Sequence, residues 1–412
     1  MHFLYNLFIL ISEKVLLLFG NFFGKKVEQF RRGQFEVFKK LEHCINHSNP
    51  VIWMHVSSLG EYEQGLPILE KLRIAYPNHQ LILTFFSPSG YEVKKDTTPV
   101  DCVVYLPVDT PKNAREFLEV LQPEMVFFVK YDFWPNYLFQ LKKMGVKTYL
   151  ISGLFSENHI FFRSYNAWLK KSLFAFTHFF VQDEHSKIVL KNNGFDNVVL
   201  AGDTRFDRVF HIADQAEPLD FILKFKQDKP LIIIGSSWPE DEKLWANYID
   251  KTQHKVKFLV APHQIDKNHI QAIKKSIHKP VAVFTEINQE TEYDKDILIL
   301  DTIGMLNKAY RYANIVYVGN GFGKSIHNIQ EPAIYGVPII TGPHIQKFKE
   351  AVDLAALGGL VVVRDQKSLD QIVDNLLLNP KLAEEKSAIT KQYSLRNLGA
   401  SDKIINFITK QL

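Results

Sequence analysis

Short apolar runs alternate with amphipathic stretches along almost the whole chain. Runs rich in Val, Ile, Leu and Phe recur at Val51–His55, Gln80–Phe85, Val103–Tyr105, Met125–Val129, Lys147–Ile151, His178–Val181 and Val198–Leu200. Segments with helical spacing lie between them, among them Thr110–Leu121, Trp134–Lys143 and Glu184–Asn193. A polar, Pro-containing stretch, His211–Pro230, interrupts the pattern. A second series then follows at Leu231–Gly235, Lys257–Ala261, Val281–Phe284, Ile297–Leu300, Ile315–Val318, Pro338–Thr341 and Leu360–Val363. Such alternation predicts an α/β protein of parallel βαβ units. The expected organisation is two doubly wound, Rossmann-like domains, residues 25–210 and 231–395, joined by a linker at 211–230. A last helix, 396–412, is expected to pack back on the first domain. Ligands bind such sheets at the carboxyl ends of their strands, so two of them predict a central cleft.

The first 24 residues, MHFLYNLFILISEKVLLLFGNFFG, break the pattern. At helical spacing His2, Asn6, Glu13 and Gly20 fall on one narrow polar line, and the remaining circumference is largely Phe, Leu, Ile and Val. Glu13 and Lys14 sit near the middle, where a spanning helix tolerates charge poorly. Lys25, Lys26, Arg31, Arg32, Lys39 and Lys40 follow, a basic flank suited to an anionic membrane surface. A cleaved signal peptide fits worse, because the basic residues come after the apolar run and no small-residue cleavage site follows. The competing reading is a buried core helix. The expectation is a membrane anchor over residues 1–24 with the body on the cytoplasmic side.

Composition adds bounds. At 412 residues the chain exceeds what one hydrophobic core organises. Its 46% apolar and 23% charged residues exclude a disordered chain. A net charge of +4 is small for this length, so no nucleic-acid partner is expected. Cys44 and Cys102 are the only cysteines, which reads as a reducing compartment without a disulfide scaffold.

Two stretches carry candidate chemistry. In VIWMHVSSLGEYEQGLPILEKL (Val51–Leu72) a strand runs into small polar residues, and Glu61 then opens a helix. Ser57 or Ser58 suits the helix cap, and Gly60 suits a tight turn or close approach to a ligand. Glu61 is either a complement to the helix dipole or a catalytic base at a strand end. The second stretch is VYVGNGFGKSIHNIQEPAIYGVPIITGPH (Val316–His344). Its GFGKS mimics the end of a P-loop, but Val318 stands where the first glycine belongs. Gly319, Gly321 and Gly323 are spaced G-x-G-x-G, which is not the dinucleotide fingerprint. What remains is a strand, a glycine loop, and a helix expected near Asn328 whose start offers N–H groups to a phosphate. Glu331 lies one turn in, placed to accept hydrogen bonds from a ribose diol. A mobile surface loop before a capped helix is the plainer reading.

Taken together, the stretches resemble the bacterial Kdo (3-deoxy-D-manno-octulosonic acid) transferases. HVSSLGE is similar to that family's His-x-x-Ser-x-Gly-Glu block, DFWPN (Asp132–Asn136) to its Glu-Leu-Trp-Pro-Asn block, and AGDTRFD (Ala201–Asp207) to its Thr-Gly-Asn-x-Lys-Phe-Asp block. GSSW, APH, DTIGML and HNIQEPAIYGVPIITGPH follow in the family's order, so the resemblance runs from about Val51 to about Gly358. It implies the glycosyltransferase B fold and transfer of Kdo from CMP-Kdo to a lipid A precursor, lipid IV(A), at the cytoplasmic face of the inner membrane, with no cofactor and no metal. It implies that Glu61 is the general base and that Asp132 and Arg205 support the transition state. It implies that CMP-Kdo lies against Pro262, His263, Ile303, Gly304, Met305, Asn328, Ile329, Gln330 and Glu331. Ser57, Ser58, Gly60, Ser236, Ser237 and His327 are further candidates to line the site.

The chain also departs from the family's pattern. His263 stands where many relatives carry Arg, which exchanges a fixed charge for a pH-dependent one. Asp132 is one methylene shorter than the usual Glu, Lys130 occupies a position often acidic, and Met305 replaces a Glu. Other segments are weaker candidates. His43 and His47 flank Cys44 without a nearby carboxylate cluster, so solvated or core histidines are favoured over metal ligands. His159–Lys171 mixes aromatics with Arg163, Lys170 and Lys171, as a lipid-facing helix or an ordinary one does. Phe85, Ser87, Ser89 and Gly90 suit either a site wall or a plain turn at Pro88. Two rival functions fit the same architecture: a nucleotide-sugar epimerase or hydrolase, and a membrane-bound relative without catalysis.

Overall fold

The computed structural model describes residues 1–288 and 293–410. The chain forms two compact units, Met1–Arg208 with Leu398–Leu412, and Val209–Asn397. The first holds strands β1 (Val51–Val56), β2 (Gln80–Phe85), β3 (Cys102–Tyr105), β4 (Pro123–Val129), β5 (Lys147–Gly153), β6 (His178–Val181) and β7 (Val198–Leu200). They form one sheet in the order β3-β2-β1-β4-β5-β6-β7. Every pairing in it is parallel. The second unit holds β8 (Leu231–Ser237), β9 (Lys257–Pro262), β10 (Val281–Val283), β11 (Ile297–Ile299), β12 (Ile315–Val318), β13 (Ile339–Thr341) and β14 (Leu360–Val362). Its sheet, also parallel, runs β10-β11-β9-β8-β12-β13-β14. All fourteen runs distinguished by their apolar character are strands.

Parallel strands are covered on both faces, which is why they read as continuous apolar runs rather than alternating ones. All six residues of β1 are buried. Val51 and Trp53 enter one core, while Ile52, Met54 and Val56 enter the other. The second sheet divides in the same way, with Ile233 on one side and Ile232 and Ile234 on the other. Within the Pro-containing stretch, the helix Asp220–Lys226 buries Ile222 and Phe225 in the core of the second unit. The carboxy-terminal helix, Ala400–Thr409, belongs to the first unit. There Asp207 accepts hydrogen bonds from the Gly399 and Ser401 N–H groups (2.6 and 2.7 Å), and Ile404 and Ile408 enter the core.

Helix α1 (His2–Phe19) continues through a short 3₁₀ turn into α2 (Lys25–Cys44). Cys44 at the end of α2 is bridged to Cys102 of β3, so the reading of two free thiols gives way to one covalent link. The cause is tertiary: α2 packs against β3. Spacing along the sequence carried no sign of that contact.

Candidate functional site

Each sheet turns outward from its first strand, β1 or β8, and the switch points lie at β1/β4 and β8/β12. Many candidate residues lie beyond the carboxyl ends of strands in these two sheets. In the first unit β1 ends at Val56, and helix α3 (Leu59–Ala75) begins three residues later. Ser58 is the N-cap residue by backbone position, but its hydroxyl makes no cap bond. It donates instead to Glu61 Oε2 and fixes the half-buried carboxyl. Ser57 caps nothing either: its N–H donates to Asp132 Oδ2 (2.7 Å) and its hydroxyl to Oδ1. The expectation of a serine cap is therefore corrected: both hydroxyls donate to carboxylates, and neither oxygen accepts a cap bond from the helix. Gly60 is not required by the turn. A side chain there would meet only Ser58 Oγ, at 3.7 Å, beside open surface.

Asp132 follows the end of β4. Burial pushes its pKa up to about 7, the two Ser57 bonds oppose this, and the Glu61 charge raises it further. Lys130, between β4 and Asp132, holds the left-handed region at φ 65°, which costs a non-glycine residue energy and gathers at functional sites. Its charge pulls Asp132 back down in part. His55 of β1 is fully buried. Its pKa is lowered to about 3 by desolvation, its Nε2 accepts from Trp134 Nε1 (2.9 Å), and Nδ1–H faces Thr84 Oγ1 (2.8 Å). It stands 3.9 Å from Asp132, but as a neutral ring it is a brace and not an ion-pair partner.

Arg205 lies at the start of the helix Thr204–Asp214, and its guanidinium is engaged by Asp203, with Nε and Nη2 donating to Oδ2 at 2.9 and 2.6 Å. The guanidinium is thus held in an ion pair with Asp203. Tyr131 is a site neighbour that the sequence patterns did not mark. Burial raises its hydroxyl pKa, the charges on Asp183 and Glu61 add to this, and the Arg205 charge opposes it. Its position just before DFWPN was the available signal.

In the second unit Ser236 and Ser237 end β8, and Ser236 has φ 52°. Ser237 is buried and donates to Glu242 (3.0 Å), so it supports the site from behind. His263, just after β9, stacks on Trp238 (4.8 Å between centroids, 19° between planes) and lies 4.7 Å from the His327 ring. Trp238 Nε1 donates to His327 Nε2 (3.0 Å). Burial first, then the neighbouring His263, lowers the His327 pKa to about 4, so that ring is neutral at neutral pH. Trp238 is thus the centre of an aromatic wall, for which its place at the end of GSSW was the only sequence sign.

The glycine loop is packed. A side chain on Gly319 would strike Ser236 O at 2.3 Å, and one on Gly321 would strike Gly342 N at 2.4 Å. The glycines let three strand ends approach one another, which corrects the flexible-loop expectation. The helix expected near Asn328 is a single turn, Gln330–Ala333. Asn328, just before it, accepts from Gln330 N–H (3.0 Å) and donates from Nδ2 to Glu331 Oε1 (3.2 Å). Ile329 and Gln330 are buried, and Glu331 is half-buried beside the Tyr310 ring, whose pKa its charge helps to raise. Pro262 closes β9. Ile303 is 86% exposed, Gly304 has φ 87°, and Met305 begins the helix Leu306–Ala309. Among the described residues no cluster of three or more His, Cys, Asp or Glu side chains is arranged to hold a metal ion.

Residues 30–208 match a family model described as 3-deoxy-D-manno-octulosonic-acid transferase (kdotransferase). A 3-deoxy-D-manno-octulosonic acid transferase of Chlamydia muridarum is 28% identical over 371 residues, covering 87% of this chain and 85% of its own. One from Haemophilus influenzae is 24% identical over all of this chain and 98% of its own. Among solved structures, the UDP-GlcNAc 2-epimerase from Neisseria meningitidis superposes with a TM-score of 0.63 at 15% identity, covering 87% of this chain and all of that one. That last likeness speaks for the two-sheet fold alone, which many activities share.

Proposed function

We propose, from the premise that the chain belongs to the Kdo transferase family of glycosyltransferases, that it transfers Kdo from CMP-Kdo to the lipid A precursor lipid IV(A), with Glu61 as general base. The acceptor hydroxyl gives its proton to Glu61 as its oxygen bonds to the anomeric carbon. The bond from that carbon to the phosphate oxygen breaks, and CMP leaves with the electron pair. A hydroxyl is a poor nucleophile until its proton has an acceptor, so the base must be held in place. The observation that carries this reading is the Ser57–Ser58–Glu61–Asp132 cluster at the β1/β4 switch point. Burial, with the nearby Glu61 charge adding to it, raises the Asp132 pKa to about 7, and the Ser58 hydroxyl orients Glu61 as the acceptor.

CMP is assigned to the second unit. Glu331 at the start of its helical turn accepts from the ribose diol, the Trp238–His263–His327 wall flanks the nucleotide, and the Ile303–Met305 turn closes over it. The guanidinium of Arg205 is held in a fixed orientation by Asp203. The acceptor is a lipid, the apolar amino-terminal helix supports membrane association, and the location assigned is the cytoplasmic face of the inner membrane. The purified full chain, incubated with CMP-Kdo and lipid IV(A), is expected to release CMP and to yield a product heavier by whole Kdo residues. Conversion of a nucleotide sugar without any lipid product would favour the epimerase reading instead.

A further inference from the structure

Helix α1 is long and apolar enough to cross a bilayer by length and composition. Its contacts describe another posture. The polar line His2, Asn6 and Glu13 is spent on the first unit. His2 Nε2 meets Asn136 Oδ1 (3.2 Å) and its ring stacks on Trp168 (5.0 Å). Asn6 Oδ1 accepts from Asn136 Nδ2 (2.9 Å), the Tyr5 hydroxyl donates to Asp109 (2.7 Å), and Glu13 accepts from Asn113. Near the other end Arg31 Nη1 donates to the Leu17 carbonyl (3.3 Å), and Gly20 is buried where a side chain would strike Arg31. Ile9 and Leu16 pack on the core between these points. The helix is therefore tied to the protein body from its first residue to its last turn. At 1.5 Å per residue, 18 residues are about 27 Å of helix, nearly a whole hydrocarbon core. A helix fastened along that length has no free segment to pass through a bilayer while the charged body stays in water.

The opposite side is a continuous apolar stripe. Leu4, Phe8, Ile11, Val15, Leu18 and Phe22 recur every three or four residues and are all exposed. Exposed Phe23 and Phe35 extend it past the corner into α2. Exposed Lys14, Lys25, Lys26, Arg32 and Lys39 outnumber exposed Glu36 and Glu42 on these same two helices, so apolar bulk and cationic heads occur together there. That pairing matches the boundary between acyl chains and anionic headgroups and suits no purely aqueous partner.

We infer that α1 lies in the plane of an anionic membrane surface, with the Leu4–Phe22 stripe buried at the acyl boundary and the body held against the leaflet, and that it does not span. This rests on the membrane attachment proposed above but is separable from it. The test uses the full chain with single cysteines at Leu4, Phe8, Ile11, Val15 and Leu18, each carrying a depth-sensitive fluorophore. Cys44 and Cys102 are replaced by Ser in this background, so that only the introduced cysteine takes label. The probe membrane is vesicles of phosphatidylethanolamine with phosphatidylglycerol, read by lipids quenching at graded depths. An in-plane helix gives the same shallow depth at all five sites, about 5–10 Å below the headgroup boundary. Replacing Leu4, Ile11 and Leu18 together by Ser should lower partition at least about tenfold without unfolding the body. Depths that run from one leaflet to the other along the helix would overturn the in-plane posture and leave attachment standing. Absence of binding to any vesicle overturns both. Equal binding to phosphatidylcholine alone overturns the anionic preference.

Discussion

Asp132→Asn isolates a single proton. The carboxyl accepts from the Ser57 N–H and hydroxyl, and burial with the nearby Glu61 charge raises its pKa from 3.8 to about 7. A carboxyl whose pKa is higher folded than unfolded stabilises the fold fully below its unfolded value, and that contribution is lost as pH rises through the folded one. The window here runs from 3.8 to about 7. Asparagine keeps the shape and one acceptor, its amide can donate to the Ser57 hydroxyl, and it never ionises. The variant should match the wild type at the acid end and become the more stable protein toward neutral pH. Across that window the difference can reach a ceiling of about 4 kcal/mol, with a slope of at most about 1.4 kcal/mol for each tenfold change in proton concentration. Hydrogen exchange of the buried β1 and β4 amides reads the opening of this unit by itself. Asp109 titrates in a similar range, with a pKa raised to about 7, but it is present in both proteins and cancels in the difference. A difference that stays flat across the window, or that favours the wild type toward neutral pH, would refute the reasoning. Either result would mean that the Ser57 bonds outweigh burial and hold Asp132 ionised. Repeating the comparison in a Glu61→Gln background should narrow the window, since the Glu61 charge helps to set its upper edge.

Glu61→Gln should preserve folding and CMP affinity while turnover falls by about two to four orders of magnitude, the worth of a positioned base. Near-normal Kdo transfer by the variant, measured by product mass, would leave Glu61 a helix-dipole residue. Glu331→Ala should weaken CMP binding by calorimetry, because each charge-assisted bond to a ribose hydroxyl is worth about 1.5–3 kcal/mol. Unchanged affinity removes Glu331 from the nucleotide site. Tyr5→Phe deletes the hydroxyl that donates to buried Asp109, at a cost of about 1–3 kcal/mol for the orphaned acceptor. That bond favours the ionised acid, so the cost should grow as pH rises past about 7; an equal cost at acid and alkaline pH in urea unfolding would refute the assignment.

The strands were legible because parallel sheets bury both faces. No register or pairing is needed to see that Leu231–Gly235 or Ile315–Val318 is a core strand. The candidate residues most legible in the sequence, Ser57, Glu61 and Asp132, are those that follow a strand end. Contacts were illegible where the partner is distant in sequence. Asp132 lies 75 residues from the serine that binds it, and Asn136 lies 134 from His2. Cys44 and Cys102, 58 residues apart, met for the same reason. A local rule such as serine capping considers only the adjacent backbone N–H groups, and here both hydroxyls are turned to carboxylates, one of them far along the chain.

The glycine loop shows how one observation changes meaning between levels. Read as sequence, Gly319, Gly321 and Gly323 signify freedom. In the folded chain the first two are contact points, with Gly321 facing Gly342 and Gly319 facing Ser236, so their function is close approach. Around them Ser236 and Asn320 accept φ of 52° and 67°, strain that a mobile loop would relax. Lys130 and Ser152 do the same at the strand ends of the first sheet, with φ of 65° and 53°. Strain gathered at the carboxyl ends of strands, in both units, is held by the surrounding packing. A group held there meets a substrate already in position, which is what a base with a fixed hydrogen-bond partner requires.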